Sequence, residues 1–124
     1  MTHVLETGFE QMEANNPNGS PKIRGYNIIN GIISLSSDGS TFESINPAIL
    51  ADCLGEFPLS TKEDVHDALA AARAAFPAWA ATPAPTRGQI IGNMGRLLME
   101  YKDDIVRVET REIGKTLKES AGSV

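Results

Sequence analysis

Cys53 is the one cysteine of the 124-residue chain, which makes it the first side chain to weigh as a nucleophile. A thiol becomes reactive beside a lysine, a protonated histidine or a helix N-terminus. The near neighbours of Cys53 are Asp52 and Glu56, the wrong charge for that task, so it reads as an apolar strand residue. A single cysteine also excludes an internal disulfide, a cysteine-based zinc site and a Cys-x-x-Cys redox pair. His3 falls in a polar leader and His66 on the polar side of a predicted helix beside Asp67, so the two histidines make no metal site. Gly114-Lys115-Thr116 matches the end of a phosphate-binding loop, but that pattern needs an earlier glycine where Glu109 stands, and a strand before it where the periodicity is helical. Gly88, Gly92 and Gly95 lie in a helical pattern with no preceding strand, which suits close helix packing rather than a dinucleotide fingerprint. Asp103 and Asp104 are adjacent and diverge on a helix, so they cannot share a proton. The residues contain no self-sufficient catalytic constellation.

The elements that would position these groups change character at Pro58. Residues 1–22 hold the turn-rich run Asn15-Asn16-Pro17-Asn18-Gly19-Ser20-Pro21 and are predicted to form a mobile polar leader. Residues 23–58 alternate apolar pairs with hairpin signals: Ile28-Ile29, Asn30-Gly31, Ile32-Ile33, Asp38-Gly39, then Phe42 and Ile45. Asn-Gly and Asp-Gly accept the positive φ of tight turns, which predicts a short antiparallel β-meander ending at Asn46-Pro47 and a further strand over Cys53–Phe57. From residue 59 the period becomes helical. Ser60-Thr61-Lys62-Glu63 has the form of a capping box, and Val65, Leu69, Ala72 and Phe76 share one face of the helix that follows. Pro77 is expected to break that helix. Pro83 and Pro85 open a second amphipathic stretch through Ile90, Ile91, Met94, Leu97, Leu98 and Tyr101. After Lys102-Asp103-Asp104 a third helix turns Ile105, Val108 and Ile113 inward, carries an Asp103–Arg107 pair and stops at Gly114. A fourth begins near Thr116 and is still running at Val124. The fold class is therefore an α+β segment, a β-meander followed by three to four amphipathic helices.

Charge and composition remove whole classes of partner. The net charge of −5 lies entirely in residues 1–60, with seven acids against Lys22 and Arg24, while residues 61–124 balance nine acids with nine bases. A phosphate backbone requires clustered Lys and Arg, so nucleic acid is excluded as a partner. The longest aliphatic run, Ala68–Ala72, is far short of the roughly 20 residues of a membrane span. The N-terminus has neither the basic nor the apolar region of a signal peptide, which points to the cytoplasm.

Several stretches, in this order, resemble the N-terminal part of the NAD(P)-dependent aldehyde dehydrogenase superfamily, nearest in style to bacterial semialdehyde dehydrogenases. They are Ile29-Asn30-Gly31, Thr41 to Ala48, Leu54 to Pro58, Asp64-Val65 with Ala75-Phe76-x-x-Trp79, Thr82 to Gly88, Arg96-Leu97-Leu98, and Glu109-Thr110-Arg111-Glu112-x-Gly114-Lys115. The resemblance covers about residues 26–124. It departs at Ile32-Ile33, where relatives carry Glu-Trp, and at Ile49-Leu50, where they carry a polar loop.

In that family a cysteine thiolate adds to an aldehyde, hydride passes to the nicotinamide, and a glutamate-activated water releases the carboxylate. The resemblance implies that residues 59–124 are the incomplete helical start of a cofactor-binding domain. It also implies that the catalytic cysteine, general-base glutamate, oxyanion asparagine and nucleotide segment lie downstream. No catalytic or cofactor-binding residue is therefore assigned here, and NAD or NADP is expected to bind the full-length enzyme but not this chain alone. Some members hold a monovalent cation at positions matching the backbone of Ile45 and the carboxylate of Glu112. The implied function is that of an N-terminal fragment, inactive alone, whose partners are the remainder of the dehydrogenase or other subunits of a homo-oligomer. The competing reading is a stand-alone helical interaction or oligomerisation module.

Overall fold

The computed structural model describes the backbone of residues 11–15, then Gly19 and residues 21–124. Six short strands precede four helices: β1 (Gln11–Asn15), β2 (Pro21–Arg24), β3 (Asn27–Ile29), β4 (Ile32–Ser34), β5 (Thr41–Ile45), β6 (Cys53–Pro58), α1 (Lys62–Ala81), α2 (Ala84–Glu100), α3 (Lys102–Ile113) and α4 (Leu117–Ala121). The expected class, strands followed by four helices, is what the chain adopts.

Strand pairing differs from the expected meander. β3 and β4 form a hairpin of their own, closed by Asn30 and Gly31 at φ 53° and 75°. This is the primed turn that Asn-Gly favours. The other four strands make one sheet in the order β1-β2-β6-β5. β5 therefore leaves its predecessor and runs antiparallel to β6, from Thr41↔Pro58 to Ile45↔Cys53. In the Asp38-Gly39 turn that leads into β5, the buried Ser36 sends its hydroxyl to Ser40 O at 2.6 Å and the Asp38 carboxylate accepts from Ser40 N at 2.9 Å. Part of the expected leader is also strand. β1 pairs antiparallel with β2, and β2 lies parallel to β6 through Ile23↔Gly55 and Arg24↔Glu56. Turn-forming residues read as the end of regular structure stand between two strands instead. Residues 1–10, including His3, lie outside the described residues.

The helix boundaries carry four corrections. The N-cap of α1 is Thr61 with Asp64 as its reciprocal partner, one residue later than Ser60 and Glu63. The Ser60 hydroxyl is engaged by Asn27 Oδ1 at 3.0 Å, so the cap passes to Thr61. α1 continues through Pro77 to Ala81. Proline removes one N–H but leaves the later turns able to bond, and on an exposed helix water can take the orphaned carbonyl. α3 starts at Lys102, so Lys102-Asp103-Asp104 is its first turn, and Arg107 meets Asp104 at 3.8 Å rather than Asp103. α4 ends at Ala121 and does not run to Val124. Gly114 does stop α3, at φ 73°.

Among the described residues only Leu54 and Val106 are buried apolar side chains, whereas Ser36, Asn46, Asp52, Asp64 and Ser120 are buried polar ones. Polar bonds therefore hold much of the small interior. Phe42 and Phe57 add a tilted ring contact at 5.9 Å across β5 and β6.

Candidate functional site

The most organised side-chain cluster is one that sequence reading missed. It sits where the β5–β6 turn meets α3. Asn46 N accepts its place in the turn by donating to Asp52 O at 2.9 Å, and Ile49 N and Asp52 N close the loop between them. The Asn46 side chain does two jobs, donating from Nδ2 to Asp52 Oδ2 at 3.1 Å and accepting from Ala48 N at 2.9 Å. The guanidinium of Arg111 then reaches in from α3. Its Nη2 and Nε donate to Asp52 Oδ1 and Oδ2 at 2.9 and 3.1 Å, and its Nη1 donates to Pro21 O at 3.2 Å. Asp52 is 2% exposed and Arg111 17%. A forked arginine–carboxylate pair of this kind fixes orientation as well as charge. The unit ties β2, the β5–β6 turn and α3 together, and its signal in sequence was only an acid before an apolar strand and an arginine far away.

A second polar knot holds the start of α1. The Asp64 carboxylate accepts from Thr61 N at 2.8 Å and from Ser37 N at 3.1 and 3.2 Å. The Thr61 amide first, and the Ser37 amide with it, keeps this carboxyl below the usual aspartate range.

The residues singled out for chemistry are dispersed. Cys53 lies in β6 with its thiol directed to Glu43 Oε1 at 3.7 Å, a donor role that agrees with a strand residue and supplies no activating cation. His66 is exposed on α1. Gly114, Lys115 and Thr116 are punctuation between two helices. Gly114 is the left-handed stop, Lys115 Nζ meets Glu109 at 3.3 Å, and Thr116 caps α4. Nothing approaches Gly88, Gly92 or Gly95 within 4 Å, so the close helix packing expected there is not seen. Asp103 and Asp104 are both exposed. Ile45 ends β5 opposite Cys53, and Glu112 is exposed in the last turn of α3. Among the described residues no three acid, histidine or cysteine side chains converge.

The helix N-termini are occupied by side chains of their own. A pyrophosphate binds where helical N–H groups are open and positive. α1, α3 and α4 each place acids in the first turn, and α2 has proline at its start.

What the surface does offer is apolar area. Phe76 is 65% exposed on α1, and Ile91, Met94 and Leu98 are each more than half exposed on α2, which buries no residue at all. α1 rests on the hairpin across a shallow hollow of about 260 Å³ between Ile28, Ile29 and the alanines at 68, 71, 72 and 75. Apolar exposure on this scale is a feature of interaction faces. No described helix is long and apolar enough to cross a membrane.

The family model of the aldehyde dehydrogenases matches residues 34–124. The malonate-semialdehyde dehydrogenase of Bacillus cereus is 38% identical over 101 residues, which are 82% of this chain and 21% of that enzyme. The NADP(+) succinate-semialdehyde dehydrogenase of Escherichia coli is 36% identical over 107 residues, 86% of this chain and 22% of that one. In three dimensions an NAD-dependent aldehyde dehydrogenase from Sinorhizobium meliloti superposes with a TM-score of 0.81 at 25% identity, over 94% of this chain and 24% of its own. The chain thus spans about a fifth of the length of the curated relatives it matches.

Proposed function

The chain belongs to the aldehyde dehydrogenase family, and from that premise we propose that it is the N-terminal strand-and-helix base of an enzyme that oxidises a semialdehyde to the carboxylate with NAD(P)+. The semialdehyde class is supported by the names of the relatives, malonate- and succinate-semialdehyde dehydrogenase. In this reading the chain supplies no reacting group. Its work is to present α1 and α2 in a fixed relation to the sheet, so that the remainder of a dehydrogenase subunit can cover them. NAD(P) would supply the hydride acceptor in that complete enzyme, bound by segments other than those described.

One observation carries the proposal: among the described residues only two buried apolar side chains accompany long helices whose apolar residues are open to solvent. A surface so composed is unfavourable in isolation, at roughly 25 cal/mol for each Å² that stays wet.

The test compares the isolated chain with the chain co-expressed with the rest of a matching semialdehyde dehydrogenase. Alone, it should show no aldehyde-dependent reduction of NAD(P)+ and should scatter light on warming. Co-expression should suppress the scattering and restore turnover. The pair L69K and F76K should raise solubility of the chain alone and abolish that restoration. Turnover by the isolated chain would overturn the proposal, and a cooperative, monodisperse melt would favour the stand-alone interaction module.

A further inference from the structure

The Asp64 carboxylate lies at the meeting of two elements 27 residues apart in sequence and is itself nearly buried. On one side it completes the capping box of α1, receiving Thr61 N at 2.8 Å and Thr61 Oγ1 at 3.2 Å. On the other it receives the backbone amide of Ser37 on both oxygens. The two elements touch a second time through their hydroxyls, Ser37 Oγ and Thr61 Oγ1, 2.7 Å apart. An ordinary capping box satisfies donors of its own helix. Here the same acid also satisfies a donor of the turn that redirects β4 into β5.

We infer that Asp64 is a latch fixing α1 to the Ser36–Ser40 turn, so that the first turn of the helix and the turn dock and release together. The seating of the first turn of α1 on that turn then depends on this carboxylate together with the Ser37–Thr61 hydroxyl contact. The helix can persist without it, because the Thr61 hydroxyl still accepts from the amide of residue 64 at 3.3 Å. The hold on the backbone of the turn cannot, because Ser37 N has its bonds only to this carboxylate among those described, and the hydroxyl contact of Ser37 with Thr61 is what then remains. The titratable groups nearby in the chain are Asp38 in the turn and Lys62, Glu63, His66 and Asp67 on α1. Asp38 is occupied with Ser40 N, and none of these forms an ion pair with Asp64 among the described residues. Hydrogen bonds to the charged form are what hold the latch, and they hold the carboxyl below its ordinary range. The latch is therefore closed at and above the ordinary aspartate range and opens as pH falls through the lowered value.

Two measurements on the chain test this. In an amide NMR titration the Ser37 proton should follow the Asp64 carboxyl, with a midpoint below that of an ordinary aspartate. In hydrogen exchange, Asp64→Ala should reduce protection of Ser37 by on the order of tenfold while the middle of α1 stays protected. Thr61→Ala keeps the carboxylate but removes its hydroxyl partner and the contact with Ser37 Oγ, so it should loosen the first turn of α1 and lower Ser37 protection with it, by less than Asp64→Ala does. A Ser37 amide indifferent to both pH and Asp64→Ala would overturn the latch, as would equal loss throughout α1. Neither outcome bears on aldehyde oxidation, so the latch and the proposed enzyme can fail separately.

Discussion

Arg111 reaches Asp52 across 59 residues of sequence with two parallel N–H···O bonds of 2.9 and 3.1 Å, and the carboxylate it meets is 2% exposed. The same guanidinium holds the carbonyl of Pro21, so three separate stretches depend on one side chain. A pair as enclosed as this costs desolvation to form, and its rupture leaves an enclosed carboxylate without its charged partner, with Asn46 Nδ2 still donating to it.

Removing one partner should therefore be worse than removing both. Asp52→Ala or Arg111→Met alone should each cost about 3–5 kcal/mol of stability, and the double variant should cost clearly less than the two losses added. Urea unfolding of the four proteins in a double-mutant cycle gives the coupling directly. Additive losses would mean that the pair is not coupled in the folded chain.

Glycines 55 and 88 should respond to alanine in opposite directions. A Cβ on Gly55 would overlap the carbonyl oxygen of Ile23, where β2 runs parallel to β6, and backbone cannot step aside. Gly55→Ala should destabilise by about 1–3 kcal/mol and release β2 in hydrogen exchange. Gly88 lies in α2 with nothing within 4 Å, so Gly88→Ala should stabilise by about 0.5–1 kcal/mol. Thermal melts of both variants decide the contrast.

Pro77 sits inside α1 and denies the Arg73 carbonyl its usual donor. Pro77→Ala should restore that bond and strengthen the helix by about 1–3 kcal/mol. Circular dichroism should show a higher midpoint for helix loss. An unchanged midpoint would mean that tertiary packing, not local propensity, limits α1.

Acid should loosen α4 before the sheet. The Thr116 hydroxyl, then the Thr116 amide and the charge of Lys115, hold the Glu119 carboxyl below the usual glutamate range. A lowered carboxylate stabilises the fold above its ordinary value and ceases to do so as pH falls through the lowered one. Protection of the α4 amides should drop in that window, and Glu119→Gln should remove most of the pH dependence without abolishing the Thr116 cap at 3.3 Å.

The sequence by itself determined the local elements. Asn30-Gly31 demanded a primed turn, Gly114 a left-handed stop and Thr116 a cap, because each depends on the conformational freedom or hydrogen bonding of residues within a few positions. The ordered motifs from Ile29 to Lys115 likewise determined the family, since they are a property of the string. The capping box of α1 was legible to within one residue, and the shift from Ser60 to Thr61 came from Asn27, which is near only in space. Tertiary structure alone decided that β5 pairs with β6, that β2 joins them in parallel and that Arg111 finds Asp52. Those contacts join residues 8 to 59 positions apart, and their stability depends on burial and geometry that no local pattern encodes.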